Sequence, residues 1–150
     1  MDTYKQPVQQ MKIHDRKMTF GGENDGGLGD LLIQQVLDGV KTATCDLRCF
    51  CTQQEIADLG ATPGWMETVV DSAGNPRCNI RVIAVYETSF GNPHPRLVRG
   101  EGDGDDVAKF KYDHERWFSK LLNEKGLPSL TDESQLIAWE FELVETFADA

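Results

Sequence analysis

Hydrophobic positions divide the chain into stretches of different period. From Leu28 the apolar residues fall at helical spacing: Leu28, Leu32 and Val36 share one face, and Leu31, Ile33 and Leu37 widen it. Gly39 follows where a helix is stopped by a residue free to turn left-handed, so this pattern predicts a first helix. Thr52, with Glu55 three residues later, is a capping box and predicts a short helix ending at Gly60. Met66 to Asp71 reads as a short strand, and Ser72-Ala73-Gly74-Asn75 supplies a turn. The next segment alternates, with Cys78, Ile80, Val82, Ala84 and Tyr86 on one side and Asn79, Arg81, Ile83 and Val85 on the other. A strand of that length suits the centre of a curved sheet.

A proline-broken loop, Gly91-Asn92-Pro93-His94-Pro95, and an acidic run from Gly100 to Asp106 come before a second amphipathic helix. There Val107, Phe110, His114, Trp117, Phe118 and Leu121 recur at three and four residues, and Gly126 and Pro128 end the pattern. From Leu136 to Phe147 a closing strand sets Ile137, Trp139, Phe141 and Leu143 against Ala138, Glu140 and Glu142. Helices and strands are interspersed without a βαβ rhythm. The pattern therefore predicts an α+β fold, a small mixed β-barrel with flanking helices rather than a doubly wound sheet. Residues 21–27 are too rich in glycine to be other than a loop, and the stretch before them reads as a partly ordered tail or a first edge strand around Met11 to Phe20. The chain divides into a polar, basic N-terminal segment, 1–19, and one domain, 20–147.

Composition narrows the function classes. The 150 residues are 39% hydrophobic and carry a formal charge of -10. One core is expected, and a generally basic surface that binds nucleic acid by releasing phosphate counterions is excluded; double-stranded DNA is not an expected partner. No apolar run approaches a membrane span and the first residues lack a signal-peptide core, so a cytoplasmic location is expected. Cys45, Cys49, Cys51 and Cys78 are expected as reduced thiols, because a chain of this size does not need disulfide staples, and Cys49-x-Cys51 lacks the two-residue spacing of a zinc knuckle. No cofactor is expected.

Candidate chemistry gathers in two places. In Gly39-Val40-Lys41-Thr42-Ala43-Thr44, one lysine stands between small hydroxyl residues at a helix end. It is placed to bind an anion, or to act as a base if desolvated; helix ends also favour lysine for dipole reasons alone. Glu101, Asp103, Asp105 and Asp106 precede the second amphipathic helix, whose free N–H groups account for Asp105 and Asp106. Glu101 and Asp103, between glycines, are left as candidate ligands or acids. His114 reads as a core histidine with one hydrogen bond. Trp65, Trp117 and Trp139 read as core, whereas Tyr86 and Phe90 stand where an aromatic would stack on a base.

The order of GVKTAT, GNPRCNIRV, EGDGD, HERWF and LIAWEFELV, over roughly residues 20 to 145, resembles the ASCH domain family, relatives of the PUA domain, in the longer KTAT-type form. The resemblance implies a small β-barrel with helices beside a cleft and a role connected with RNA or nucleosides. Gly39 and Lys41 match the family's G-x-K motif on the cleft floor. One branch removes the acetyl group from N4-acetylcytidine, and its lysine, threonine and glutamate match Lys41, Thr44 and Glu101. Under that resemblance Lys41 would activate Thr44, and Glu101 would orient the lysine or pass a proton to the leaving amine. Gly39, Thr42, Arg48, Tyr86 and Asp103 would contact the ligand. Family members often carry arginine where this chain has Asp46, and Arg48, two residues on, stays on the same face. Three readings follow: a hydrolase of a modified nucleoside or small amide; a module that binds single-stranded RNA or a nucleotide through Lys41, Arg48 and the basic N-terminal segment; and a ribonuclease using Glu101 and Asp103 with a divalent metal.

Overall fold

The computed structural model describes residues 12–22 and 25–147. Its elements, in chain order, are β1 (Lys17–Met18), α1 (Leu28–Leu37), β2 (Ala43–Leu47), α2 (Gln53–Ala57), β3 (Met66–Val70), β4 (Pro76–Ser89), α3 (Pro95–Gly100), α4 (Val107–Glu124) and β5 (Gln135–Thr146), with 3-10 turns at Arg48–Phe50 and Leu59–Ala61. The strands form one five-stranded sheet in the order β1-β3-β4-β5-β2. β1 runs parallel to β3 and every other pair is antiparallel. The fold is thus the expected α+β one, a mixed sheet with flanking helices consistent with a PUA-like barrel.

Each face of the sheet carries its own core. One face packs Ala43, Leu47, Leu136 and Ala138 against Leu97 and Val98 of α3 and Phe110, Phe118 and Leu122 of α4. The other packs Val69, Cys78, Ile80, Val82 and Phe141 against Ile33 and Val36 of α1. The helices bury most of the stripes their periodicity predicts, but Leu31 of α1 and Val107 of α4 are exposed. At the start of α1 the cap comes from Asp25, whose carboxylate accepts the N–H groups of Gly22, Gly27 and Gly29. Thr52 and Glu55 form the predicted capping box, but α2 stops at Ala57 and a 3-10 turn completes the segment.

Two expectations are corrected. The first strand is confined, among the described residues, to Lys17–Met18; Met11 lies outside them. The long strand does not keep one alternation. Its register against β5 shifts between Val82 and Ala84, leaving Ile83 as an extra residue that is half exposed. A bulge of one residue inverts every side chain beyond it. Cys78, Ile80 and Val82 therefore face α1, whereas Tyr86 faces α3 and α4, and Val85 takes the α1 side. One element was not predicted at all: α3 rises directly from the proline-broken loop. Pro95 opens it, and the His94 ring accepts the N–H of Arg96 as its cap.

Candidate functional site

Two helix ends deliver the central pair. At the end of α1, Gly39 takes φ +77°. Its N–H bonds to the carbonyl of Val36 and that of Val40 to Gln35, the paired bonds of a Schellman stop. Lys41 follows two residues later, its direction set by backbone geometry, and its side chain is 1% exposed. α3 ends the same way: the N–H groups of Gly102 and Asp103 bond to Arg99 and Val98, and Glu101 is the capping residue between. Gly100 lets the two ends meet. A methyl group on it would stand 2.4 Å from Cβ of Ala43. The N–H of Thr42 then bonds to the Gly100 carbonyl at 2.7 Å.

β2 is a terminal strand of the sheet. The Thr42 carbonyl accepts the N–H of Phe141 on β5, so the carbonyl of the next residue, Ala43, points off the free edge. The Lys41 ammonium donates to that carbonyl at 2.7 Å and forms an ion pair with Glu101 Oε1. The other carboxylate oxygen, Oε2, lies 2.9 Å from His114 Nε2 and accepts from the Cys45 thiol at 3.5 Å. His114 Nδ1–H donates to the Phe110 carbonyl at 2.8 Å. Both ring nitrogens therefore face acceptors, and one proton must lie between Nε2 and Oε2. The imidazole stacks on Phe110, with ring centroids 4.1 Å apart.

The electrostatics follow from this crowding. Burial alone would raise the Glu101 carboxyl, but the Lys41 charge and the His114 hydrogen bond hold it down at about 2. Burial works against a charged His114, yet its bond to Glu101 and that carboxylate's charge bring the imidazole above its ordinary value. The Cys45 thiol is pushed far up, first by burial and then by the Glu101 charge. One carboxylate thus organises an ammonium, an imidazole and a thiol, an arrangement able to hold and pass protons. Cys45, Glu101 and His114 also have potential metal-ligand atoms all within 4.8 Å of one another.

Of the residues named from sequence, the fold brings Lys41 and Glu101 into contact. Asp103 stands apart, its carboxylate held by Lys109 at 2.9 Å, so a metal held jointly by Glu101 and Asp103 has no support in this geometry. Asp106 caps α4, and Asp105 pairs with Arg99 at the surface. Thr44 neighbours Ala43, whose carbonyl holds the ammonium, but alternation turns its side chain to the face opposite Cys45. Thr42 is exposed. Arg48 has left the strand for a 3-10 turn and pairs with Glu87 at 3.2 Å, so it does not stand in for an arginine at Asp46. Asp46 itself is raised to about 6 by burial. Tyr86 packs on the α3–α4 side beside His94, its hydroxyl buried without a hydrogen-bond partner.

His114 and Cys45 were missed as site residues. A histidine between Phe110 and Phe118 on a buried stripe was a signal, but its partner is thirteen residues away, at the end of a helix the sequence did not announce. Cys45 was readable only as the strand residue alternating with Ala43 and Leu47.

A family model described as the ASCH domain matches residues 16–145. The chain is similar to the ASCH domain of Lactobacillus crispatus JV V101, with 22% identity over 87% of this chain and 79% of that one, at a TM-score of 0.70. It is also similar to a protein of Enterococcus faecalis V583, with 23% identity over 91% of this chain and 80% of that one, at a TM-score of 0.69. At such identities these likenesses speak for the fold. No curated protein matches the chain. Among the described residues, no helix is long and apolar enough to cross a membrane.

Proposed function

The chain belongs to the ASCH domain family, and from that premise we propose that it is a hydrolase of a modified nucleoside or similar small amide, with N4-acetylcytidine as the type substrate. The observation that carries this reading is the buried Lys41–Glu101 pair, backed by His114 and resting on the carbonyl next to Thr44. A buried ion pair is a weak device for stability, because desolvation offsets its attraction, and perturbed titratable groups gather where chemistry is done. In the proposed reaction Lys41 acts in its neutral form, having released a proton to solvent, with Glu101 orienting it. The Thr44 hydroxyl then attacks the acyl carbon, its proton passing through Lys41 to the leaving amine. Water hydrolyses the acyl ester and restores Thr44, giving amine and carboxylic acid. A near-neutral nucleoside suits a chain of charge -10 better than a long RNA does.

The test is incubation with N4-acetylcytidine followed by chromatography. Conversion to cytidine that disappears in Lys41→Ala and in Thr44→Ala is the expected result. No conversion by folded wild-type protein rejects the hydrolase reading.

One observation favours a second reading, binding of single-stranded RNA. Lys12, His14, Arg16 and Trp65 line an open cavity of about 400 Å³, with the Arg16 guanidinium 3.3 Å from the centre of the Trp65 ring. A cationic and aromatic surface of this kind suits phosphate and base together. This reading expects affinity that falls steeply with salt and weakens in Arg16→Ala, measured with a labelled oligonucleotide.

A further inference from the structure

We propose that Cys45, Glu101 and His114 form a binding site for a divalent transition metal of the zinc class. The site does not rest on the hydrolase reading. It begins with the donor set: a thiol, an imidazole and a carboxylate are the ligands that zinc and cobalt prefer, and magnesium and calcium do not. Their spacing agrees. Zinc bonds of about 2.0–2.3 Å in a tetrahedron place neighbouring donors roughly 3.3–3.7 Å apart. The Cys45 sulfur is 3.5 Å from Glu101 Oε2 and His114 Nε2 is 2.9 Å from it. The imidazole must withdraw slightly from the carboxylate to admit an ion, and the sulfur and Nε2 already lie within 4.8 Å of each other.

The surroundings are those of a ligand set already held in place. His114 Nδ1–H is committed to the Phe110 carbonyl, which fixes the ring and leaves Nε2 to face inward. A ligating histidine normally has such an outer partner. Glu101 keeps Oε1 on Lys41, so Oε2 is the oxygen left for the ion. All three side chains are anchored on different elements, Cys45 on β2, Glu101 at the end of α3 and His114 in α4.

Charge balance completes the argument. An entering dication releases the thiol proton of Cys45 and the proton between His114 and Glu101. Two positive charges leave and two arrive, so the net buried charge is unchanged. Lys41 retains its partner throughout. The three ligands leave a fourth position to water or another small donor.

The test uses the full chain, stripped with a chelator and dialysed against Co2+ and, separately, Zn2+. One equivalent of cobalt per chain is expected, with thiolate-to-cobalt charge-transfer absorption in the near ultraviolet that Zn2+ abolishes by displacement. Cys45→Ser loses the band. A Cys49→Ser, Cys51→Ser, Cys78→Ser triple variant keeps it, which decides the matter even if the Cys45 variant fails to fold. The proposal is overturned if folded wild-type protein retains no metal after dialysis. It is equally overturned if the band is lost from the triple variant, since Cys49 and Cys51 would then hold the ion. Neither outcome bears on deacetylation, which is read separately in the nucleoside assay.

Discussion

Two polar networks are buried in this fold, and they differ in kind. Near the N-terminal segment, Thr68 of β3 donates to Asn79 of β4 at 2.6 Å and accepts the N–H of His14 at 2.8 Å. Asn79 donates to the Lys12 carbonyl at 2.8 Å and to Glu145 at 2.5 Å. Both residues are fully buried, and each donor and acceptor is matched. Where β2, α3 and α4 meet, the second network places Lys41, His114 and Cys45 around the single carboxylate of Glu101. The first fastens a segment to a sheet edge with an amide and a hydroxyl, the amide also reaching the half-buried Glu145 carboxylate. The second holds exchangeable protons and charge, which a fastening does not require. A fold able to seal one polar cluster with an amide and a hydroxyl has no structural need of an ammonium and an imidazole in the other.

The comparison is tested most severely by removing the hub of each network. Glu101→Ala leaves the Lys41 ammonium without its partner and is expected to cost roughly 3–5 kcal/mol. Asn79→Ala takes a hydrogen-bond partner from the Thr68 hydroxyl, the Lys12 carbonyl and the Glu145 carboxylate and is expected to cost about 1–3 kcal/mol. Urea unfolding of both variants checks this, and equal losses would erase the distinction. Next in size is Gly100→Ala. Its methyl group collides with Ala43 and must push the end of α3 from β2, at about 1–3 kcal/mol, with nucleoside turnover lost at the same time. Turnover retained at wild-type rate in that variant would show that the close approach of the two helix ends is dispensable.

The smallest effect is in pH, measured on metal-free protein. His114 has its folded-state pKa raised, so its contribution is complete below its ordinary value of 6.5 and is lost as pH rises through the folded value. Glu101 has its pKa lowered to about 2, so its contribution is present above its ordinary 4.5 and is lost only as pH falls toward about 2. The stability difference between wild type and His114→Gln should therefore shrink as pH rises above neutrality. The difference between wild type and Asn79→Ala should stay flat over the same range, and a parallel change in both would count against the contrast.

Much of this was legible in the chain. Gly39 announced a helix stop, and Lys41 two residues on was therefore a candidate with a defined position. The choice between Glu101 and Asp103 was not legible, because both lie among glycines and only the end of α3 distinguishes them. That helix has six residues, too few to show a period, though Pro95 at its start and Gly102 after its end were signals of the right kind. Tyr86 was assigned to the wrong face because a single extra residue, Ile83, inverts the alternation without altering composition. The cluster around Glu101 joins positions 41, 45, 101 and 114, contacts that only tertiary structure creates.

The place of Lys41 on the rim of the sheet has a consequence for how the molecule behaves toward its own copies. An outermost strand with unclaimed carbonyl and amide groups is a template on which another chain can add itself, the first step of aggregation. On β2, the Ala43 carbonyl is claimed by the Lys41 ammonium, and the Thr42 amide just before the strand by Gly100. The side chain best placed for chemistry is thus also a stopper on an adhesive border. Under the proposed hydrolase reading, one lysine would serve both the chemistry and the protection of this edge, which would narrow the routes by which the position could drift.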